Sequence, residues 1–263
     1  MKDIKYTKEF YRIQQPGSLQ AARTIVPLVA QLIKPKSVVD VGCGTGTFLS
    51  VFRENGIEDI LGIDGNYVDR NMLLIPKEYF LPQDITKSFK LGRRFDLVVS
   101  LEVAEHLPAH RAEGFVNNLT ELGPVVLFSA AIPFQGGVEH VNEQWPEYWA
   151  SHFFRKGYLP LDCIRKRIWN IESVRFHYAQ NIIIFCERDY IKNNPPLQEE
   201  FDKTASAQLS IVHPKQYIAT RRNLVNSIKI EEISLKKILK GLPSKILKTA
   251  AQKTKGRLSK NNE

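Results

Sequence analysis

Two acidic side chains and an imidazole lie within five residues of one another in this 263-residue chain, in the run Glu102-Val103-Ala104-Glu105-His106. A histidine titrates near neutral pH, and a neighbouring carboxylate can orient its ring, so the combination is typical of a general base. We therefore predict that His106, with Glu105 beside it, removes a proton from a hydroxyl group. The competing interpretation is that this Glu-His pair has only a structural role.

A second polar cluster occupies residues 132–145, which follow an apolar run at residues 125–131. Gly136 and Gly137 interrupt this stretch, and His140 and Asn142 follow them. Loops carry function when a rigid sheet positions them. We expect this loop to leave the same sheet edge as residues 102–106 and to cover a substrate. His140 is the second candidate catalytic histidine, and Asn142 is the next residue to test.

The element that positions these groups is an apolar run, Val38–Val41, that breaks into alternating glycines and restarts as a helix near Thr47. A Val-rich run of this kind is typical of a buried parallel strand. Glycines after such a strand let the backbone approach a ligand closely. Ligands of open α/β sheets bind at this edge, so the turn is a candidate binding site.

Two details of the turn indicate which ligand it binds. The dinucleotide fingerprint requires G-x-G-x-x-G, whereas residues 42–46 have the spacing G-x-G-x-G. Asp40 lies just before the glycines, where a carboxylate would repel a pyrophosphate but could pair with a cation. The turn therefore favours a zwitterionic ligand with an ammonium group.

The run Asp40-Val41-Gly42-Cys43-Gly44-Thr45-Gly46 resembles the first motif of class I S-adenosylmethionine (SAM)-dependent methyltransferases. Residues 95–101 match the Phe-Asp-aliphatic pattern of the same family, and the resemblance extends from about residue 36 to residue 187. It implies that the turn holds the methionine end of SAM. The expected contacts there are Asp40, Gly42, Cys43 and Gly44.

Two further acids follow in the order that this resemblance requires. Asp64 ends a short apolar run, and a carboxylate at the end of a second strand can accept hydrogen bonds from both hydroxyls of a ribose. The resemblance implies that Asp84 accepts from the adenine amino group and that Ile85 packs on the ring. Leu101, at the end of the predicted fourth strand, completes the expected cofactor site.

The resemblance also implies the fold class, α/β with a Rossmann-like seven-stranded, mostly parallel sheet. An antiparallel last strand, helices on both faces and a C-terminal helical tail complete this prediction. Residues 158–169 and 175–186 are expected to pair as the final antiparallel strands. The predicted regions are an N-terminal helical cover (1–36), the methyltransferase domain (37–190), a linker and accessory segment (191–230) and a basic amphipathic tail (231–263).

Charge is distributed unevenly along the chain. The net charge is +9, and nine basic residues with no acidic one lie between Lys236 and Lys260. The other 28 basic residues balance the 28 acidic ones, so the rest of the chain offers no basic groove for nucleic acid. The tail can lie on an anionic membrane, bind a partner or stay solvated.

Location is predicted from what the sequence lacks. No apolar stretch approaches the ~18 residues needed to span a bilayer, and residues 1–5 lack the apolar core of a signal peptide. The three cysteines show no C-x-x-C spacing, which is typical of reduced thiols. We expect a cytoplasmic protein, with the tail a candidate for contact with the inner face of the membrane. The oligomeric state is not predicted.

The segment Leu209–Pro214 and the loop at residues 135–144 resemble bacterial methyltransferases linked to surface-polysaccharide synthesis. The resemblance implies O-methylation of a sugar or another small or glycan-linked hydroxyl, with SAM as cofactor and no metal.

Two alternatives remain. Glu102, Glu105, His106 and His140 resemble the Glu-x-x-Glu-His plus distal His set of small-RNA 2′-O-methyltransferases, which would imply a divalent metal. The other alternative is a non-catalytic SAM-binding protein.

Overall fold

A computed structural model describes residues 8–228 of the chain. The chain divides into two compact units, residues 1–217 and 218–263. The first contains the whole sheet, and the described part of the second, residues 218–228, is helical. The predicted basic tail at residues 231–263 lies outside the described residues, so its contact with membranes stays a prediction.

Seven strands form one sheet in the first unit. They are β1 (Ser37–Val41), β2 (Asp59–Asp64), β3 (Phe80–Pro82), β4 (Leu97–Leu101), β5 (Val125–Ser129), β6 (Tyr158–Leu161) and β7 (Ile183–Glu187). Their order across the sheet is β3-β2-β1-β4-β5-β7-β6. Strand β7 pairs antiparallel with both β5 and β6, and the other pairs are parallel. The predicted sheet, with its antiparallel last strand, is confirmed.

Helices cover both faces of the sheet. Within residues 8–228 they are α1 (Lys8–Ile33), α2 (Thr47–Glu54), α3 (Ala112–Leu122), α4 (Pro146–Phe154), α5 (Arg165–Ile168), α6 (Phe176–Asn181), α7 (Arg188–Lys192), α8 (Pro195–Asp202) and α9 (Pro214–Ile228).

The sheet separates two hydrophobic cores, one on each of its faces. Side chains of successive strand residues point to opposite faces, so Val38 packs on one side and Val39 on the other. Helices α1 and α2 cover the first side, and α3 and α4 cover the second. Because both faces are buried, the central strands are continuous apolar runs. Their carboxyl ends meet at one edge, where the candidate residues lie.

Helix α1 (Lys8–Ile33) lies within the segment 1–36 that was predicted as an N-terminal helical cover. It ends at Ile33, and Lys34 adopts a left-handed φ of 52° before Pro35, which lacks the N–H needed to continue a helix. Ala21, Ile25 and Val29 are fully buried against the sheet side that also holds α2. Helix α1 therefore passes close to the glycine turn that precedes α2.

The prediction of two long final strands is wrong in extent. Strands β6 and β7 pair antiparallel as expected, but residues 165–168 and 176–181 are helical. Ile164 and Ile168 are buried at a spacing of four residues, which is the spacing of one helix face. A run of apolar residues this short does not distinguish a strand from a buried helix.

Among residues 8–228, every helix is too short or too polar to cross a bilayer.

Two adjacent phenylalanines in α4 test the packing of the second core. Phe153 is fully buried and stacks on Phe185 with 4.0 Å between ring centroids, whereas Phe154 is 58% exposed. We predict that Phe153→Ala lowers the free energy of unfolding by ~3–5 kcal/mol because it leaves a cavity. Phe154→Ala, the matched control, should stay within ~0.5 kcal/mol of wild type. Urea denaturation measures both, and equal losses would contradict this packing.

Candidate active site

The glycine turn after β1 leaves an open cradle at the sheet edge. Gly42 and Gly44 have left-handed φ values of 84° and 54°, which other residues rarely adopt. A Cβ atom on Gly42 would also lie 2.4 Å from the Val103 side chain. The ring of Tyr11, from α1, covers Gly44 from the other side. The turn therefore has room for backbone-to-ligand contact only because its residues are glycines.

Asp64, at the end of β2, is buried and well hydrogen-bonded. Its carboxyl oxygens accept from the backbone N–H of Gly44 at 2.7 Å and of Gly65 at 2.6 Å. The hydroxyl of Tyr67 donates to it at 2.6 Å. Burial raises the pKa of Asp64, and these donors partly oppose that rise. Two of the three donors share Oδ1, so Oδ2, which accepts only from Gly44 among the described residues, retains an acceptor position.

Asp40, at the end of β1, differs from Asp64 in its hydrogen bonding. Its side chain is buried, and none of the residues described donates a hydrogen bond to it. Burial, together with the nearby Asp64 charge, raises the pKa of Asp40 well above its ordinary value. A buried carboxyl group without a partner is costly to ionise until a cation arrives. This environment suits the ammonium group that the sequence predicted for Asp40.

Two adjoining cavities open at this edge. The larger, of about 760 Å³, is lined by Asp64, Asp84 and Ile85, and the smaller, of about 390 Å³, by Asp40, Cys43 and Leu101. Both volumes are in the range of small-molecule sites. Tyr11, Gly42, Gly44, Glu102 and His106 line both cavities. All eight predicted cofactor residues therefore lie on the walls of one joined space.

Asp84 lies on the wall of the larger cavity but is held by its own turn. Its carboxylate accepts from the Thr86 backbone N–H and hydroxyl at 3.1 and 2.6 Å and pairs with Lys87 at 3.0 Å. The Thr86 hydrogen bond lowers the pKa of Asp84 most, so this acid stays ionised. Its contact with an adenine remains a prediction.

The two predicted catalytic histidines come together. The rings of His106 and His140 are edge to face, with 4.9 Å between centroids. Nδ1 of His106 lies 3.3 Å from the carbonyl oxygen of Glu139, and Nδ1 of His140 lies 2.9 Å from Oε1 of Glu143. Burial, and next the His140 charge, lower the pKa of His106, so its ring stays neutral near pH 7.

Glu143 was not predicted as a site residue, and it fixes the loop that carries His140. Its carboxylate accepts from the backbone N–H of Phe134 at 2.8 Å and of Gly136 at 2.7 Å, besides its contact with His140. The sequence feature that could have identified Glu143 is its position three residues after His140 in a polar loop. A carboxylate on one ring nitrogen sets the tautomer and leaves Nε2 free to accept a proton.

Glu105 is fully buried beside this pair. Neither of its carboxyl oxygens has a hydrogen-bond partner among the described residues. Burial, and then the charge of Glu102, raise the pKa of Glu105 well above its ordinary value. One oxygen of Glu105 and one nitrogen each of His106 and His140 lie within 4.8 Å of one another.

Of the other polar residues near the site, some line the cavities and some do not. Asn142 is buried, with its amide oxygen bonded to Gln144, and does not line either cavity. Tyr11 and Ser18, from α1, line the cavity walls. His177, another unpredicted residue, lines the smaller cavity, and its pKa is lowered by burial.

The strand order and the helices on both faces give this chain the fold of class I SAM-dependent methyltransferases. The sequence matches the family described as "Methyltransferase domain" over residues 11–153, and the chain belongs to this family.

Two curated relatives carry specific names. The dTDP-3-amino-3,4,6-trideoxy-alpha-D-glucopyranose N,N-dimethyltransferase of Streptomyces venezuelae is 29% identical over 147 residues, 52% of this chain and 55% of that protein. The magnesium protoporphyrin IX methyltransferase of Arabidopsis thaliana chloroplasts is 24% identical over 153 residues, 53% of this chain and 49% of that protein. The chain thus spans about half the length of these relatives.

A solved structure shares the fold. The sugar N-methyltransferase KedS8 of Streptoalloteichus sp ATCC 53650 superposes with a TM-score of 0.51 at 15% identity, covering 68% of this chain and 92% of that one.

The burial of the Asp40 carboxyl group predicts how the stability of the folded protein changes with pH. The pKa of Asp40 is higher in the folded protein than in the unfolded chain, where the side chain ionises more readily. The free energy of unfolding therefore falls as the pH rises through the folded-state pKa. Asp40→Asn stays neutral, so its advantage in stability should be small at pH 4 and larger at pH 8. It should also weaken SAM binding by roughly 10-fold or more, through loss of a charge-assisted contact.

Thermal unfolding across pH and titration calorimetry with SAM measure the two effects. Asp59→Asn, at the exposed start of β2, is the control and should change stability by no more than ~1 kcal/mol. An Asp40→Asn variant that binds SAM as tightly as wild type would disprove the ammonium contact.

Proposed function

We propose that this protein transfers the methyl group of SAM to a hydroxyl group of a sugar or glycan-linked acceptor. The observation that supports this most directly is the Glu143–His140–His106 cluster at the place where the two cavities join. A hydroxyl oxygen is a weak nucleophile until it loses its proton, so an O-methyltransferase benefits from a positioned base.

The residues present fit SAM at three separate places. Asp40 suits the ammonium group, the glycine turn leaves room for the methionine chain, and Asp64 suits the ribose hydroxyls. When bound, the sulfonium supplies an activated methyl group, so the protein has mainly to align the reacting atoms. These assignments place the reactive end of the cofactor near His106, which lines both cavities.

His140 is the proposed base. Glu143 accepts the hydrogen on Nδ1, so Nε2 would be the atom that takes the hydroxyl proton. With SAM bound, the acceptor oxygen would gain the methyl group as the bond between the methyl carbon and sulfur breaks, and S-adenosylhomocysteine would leave. The resulting imidazolium is stabilised by the Glu143 carboxylate. His106, kept neutral by burial, is placed to hydrogen-bond the same hydroxyl and orient it.

The lining of the cavities supports a neutral acceptor. Among the described residues on their walls there is no Lys or Arg, and Glu102, Glu105 and Glu139 contribute acidic groups. Phosphate or carboxylate groups would be repelled there, whereas hydroxyl groups can bond to carboxylates and imidazoles. The names of two relatives support a sugar as the acceptor, but both specify N-methylation and one names a dTDP-linked sugar, which carries phosphates.

A panel assay tests the proposal. Purified full-length protein is incubated with SAM and with neutral methyl glycosides, nucleotide-linked sugars and amino sugars. S-adenosylhomocysteine formation is measured and products are located by mass spectrometry. Methylated oxygen on a sugar is the expected result. Methylation of nitrogen alone would replace the proposal, and SAM binding without turnover on any acceptor would favour the non-catalytic alternative.

Removal of the base gives a quantitative prediction. His140→Gln should lower kcat by ~10²–10⁴-fold at pH 7, with SAM affinity within about twofold of wild type, since the ring acts on the acceptor. His106→Gln should lower kcat as well. His110→Gln, at an exposed position outside both cavities, is the control and should keep wild-type rates. Unchanged rates in the two site variants would leave both histidines with a packing role only.

A glycine supplies a second way to displace the base. A Cβ atom on Gly137 would lie 2.1 Å from Nε2 of His140, so Gly137→Ala should push the ring aside and lower kcat by about 10-fold or more. Gly114→Ala, where a Cβ meets no atom within 4 Å, is the control and should keep full activity. Steady-state kinetics compares the variants, and wild-type kcat in Gly137→Ala would contradict the position of His140.

The clustered donor atoms favour a second candidate, a metal-assisted methyltransferase such as the RNA-directed alternative. One atom each from Glu105, His106 and His140 could bind a divalent ion, and Glu105 has no other partner among the described residues. Metal binding would require Glu105 to ionise and would release its proton. Loss of activity in EDTA with restoration by Mn²⁺ would favour this candidate, whereas full activity in EDTA favours the base.

A further inference from the structure

Glu102 lines both cavities, and its backbone is strained. It has a left-handed φ of 55°, which is uncommon for a residue with a side chain. Its backbone N–H donates to Ser129, with both the carbonyl and hydroxyl oxygens at 3.0 Å. Such a conformation persists only when the surroundings hold it in place, and it is concentrated at functional sites.

Both oxygens of Glu102 are fixed by a group of three side-chain amides, here called the amide relay (Gln135, Gln180 and Asn181). Gln135 Nε2 donates to Oε2 of Glu102 at 2.8 Å, and Asn181 Nδ2 donates to Oε1 at 3.1 Å. Asn181 also donates to Gln135 Oε1 at 2.9 Å and accepts from Gln180 Nε2 at 3.0 Å. An ionised carboxylate has about four acceptor positions, so two remain for a ligand in the cavity.

The relay is anchored by residues beyond the part of the chain that matches the methyltransferase family. The backbone N–H of His213 donates to Gln180 Oε1 at 2.8 Å, and the buried Arg165 donates to the carbonyl oxygens of Gln180 and Leu209 at 3.1 and 2.7 Å. Gln216 Nε2 donates to the carbonyl oxygen of Phe134 at 2.9 Å. Residues 209–216 therefore hold both the amide relay and the loop that carries His140.

We propose that Glu102 binds hydroxyl groups of the acceptor next to the one that is methylated, and that residues 209–216 fix its orientation through the amide relay. This inference rests on the proposed function, which it extends from the reacting hydroxyl to its neighbours. A carboxylate held by two amides presents its remaining acceptor positions in a fixed geometry. Neighbouring hydroxyls on a sugar ring are the matching donors, and an anionic group would be repelled.

Two variants test the proposal with matched controls. Glu102→Gln keeps the size of the side chain and removes its charge, and Gln135→Met removes one donor to Glu102. On the best neutral acceptor of the panel, Glu102→Gln should raise KM by ~10–150-fold, as expected for lost bonds to a charged acceptor, with a smaller change in kcat. Gln135→Met should raise KM by about 3-fold or more, because a neutral hydrogen bond is lost. The exposed Glu121→Gln and Gln208→Met should change neither constant.

Binding is measured separately from turnover. Protein saturated with S-adenosylhomocysteine is titrated with methyl α-D-glucopyranoside and observed by saturation-transfer NMR. Wild type should give a signal that Glu102→Gln weakens, while calorimetry shows S-adenosylhomocysteine affinity within twofold in every variant. Equal KM and equal glycoside binding in wild type and Glu102→Gln would overturn the proposal.

A spectroscopic measurement separates this inference from the proposed function. The side-chain amide signals of Gln135 and Asn181 in a ¹⁵N spectrum should move in Glu102→Gln, because both amides donate to that carboxylate, and they should not move in Glu121→Gln. Unmoved signals would overturn the relay itself. Moved signals, together with no methylation of any sugar in the panel and no bound glycoside, would instead show that the relay exists and that these sugars are not acceptors, which overturns the proposed function and the ligand assigned to Glu102.

Discussion

The site depends on acidic side chains that are buried with no Lys or Arg beside them among the described residues of the cavity walls. Asp40, Asp64 and Glu105 are all buried at the carboxyl edge of the sheet, and burial raises the pKa of each. Among the described residues that line the cavities there is no Lys or Arg to compensate. The folded chain is therefore more stable with these groups protonated, and a cationic ligand is the complement that makes their ionisation favourable.

The glycine turn meets this constraint in two ways. Its left-handed glycines leave space beside the backbone, and the N–H of Gly44 donates to Asp64. Asp64 thus receives donors from the protein, whereas Asp40, one strand away, receives none from the described residues. Asp64 therefore stabilises the turn as well as being a candidate ligand contact, whereas Asp40 depends on the ligand for a partner. This difference accompanies the path of the turn, in which Gly42 and Gly44 both have left-handed φ values, a conformation that glycine favours.

The cofactor half of the site was predictable because its signals are local. A strand, a glycine turn and an acid at the end of the next strand have fixed spacings, and parallel topology brings their ends to one edge. The fold class was implied by the resemblance to the methyltransferase family, and the candidate histidines were predicted from their positions after the fourth and fifth apolar runs. The acceptor half was not predictable in the same way, since Asn181 meets Glu102 from 79 positions away. Short apolar runs in residues 158–186 also left helix and strand undistinguished.

This division explains why the family match informs the cofactor more than the acceptor. The match ends at residue 153, after both central acids and the loop of His140. The side chains that hold this loop and Glu102 from behind, Gln180, Asn181 and Gln216, come later in the chain. Substitutions there can reorient the acceptor groups while the glycine turn and Asp64 stay in place. The side chains proposed to contact the acceptor lie within the matched region, whereas part of the network that orients them lies beyond it.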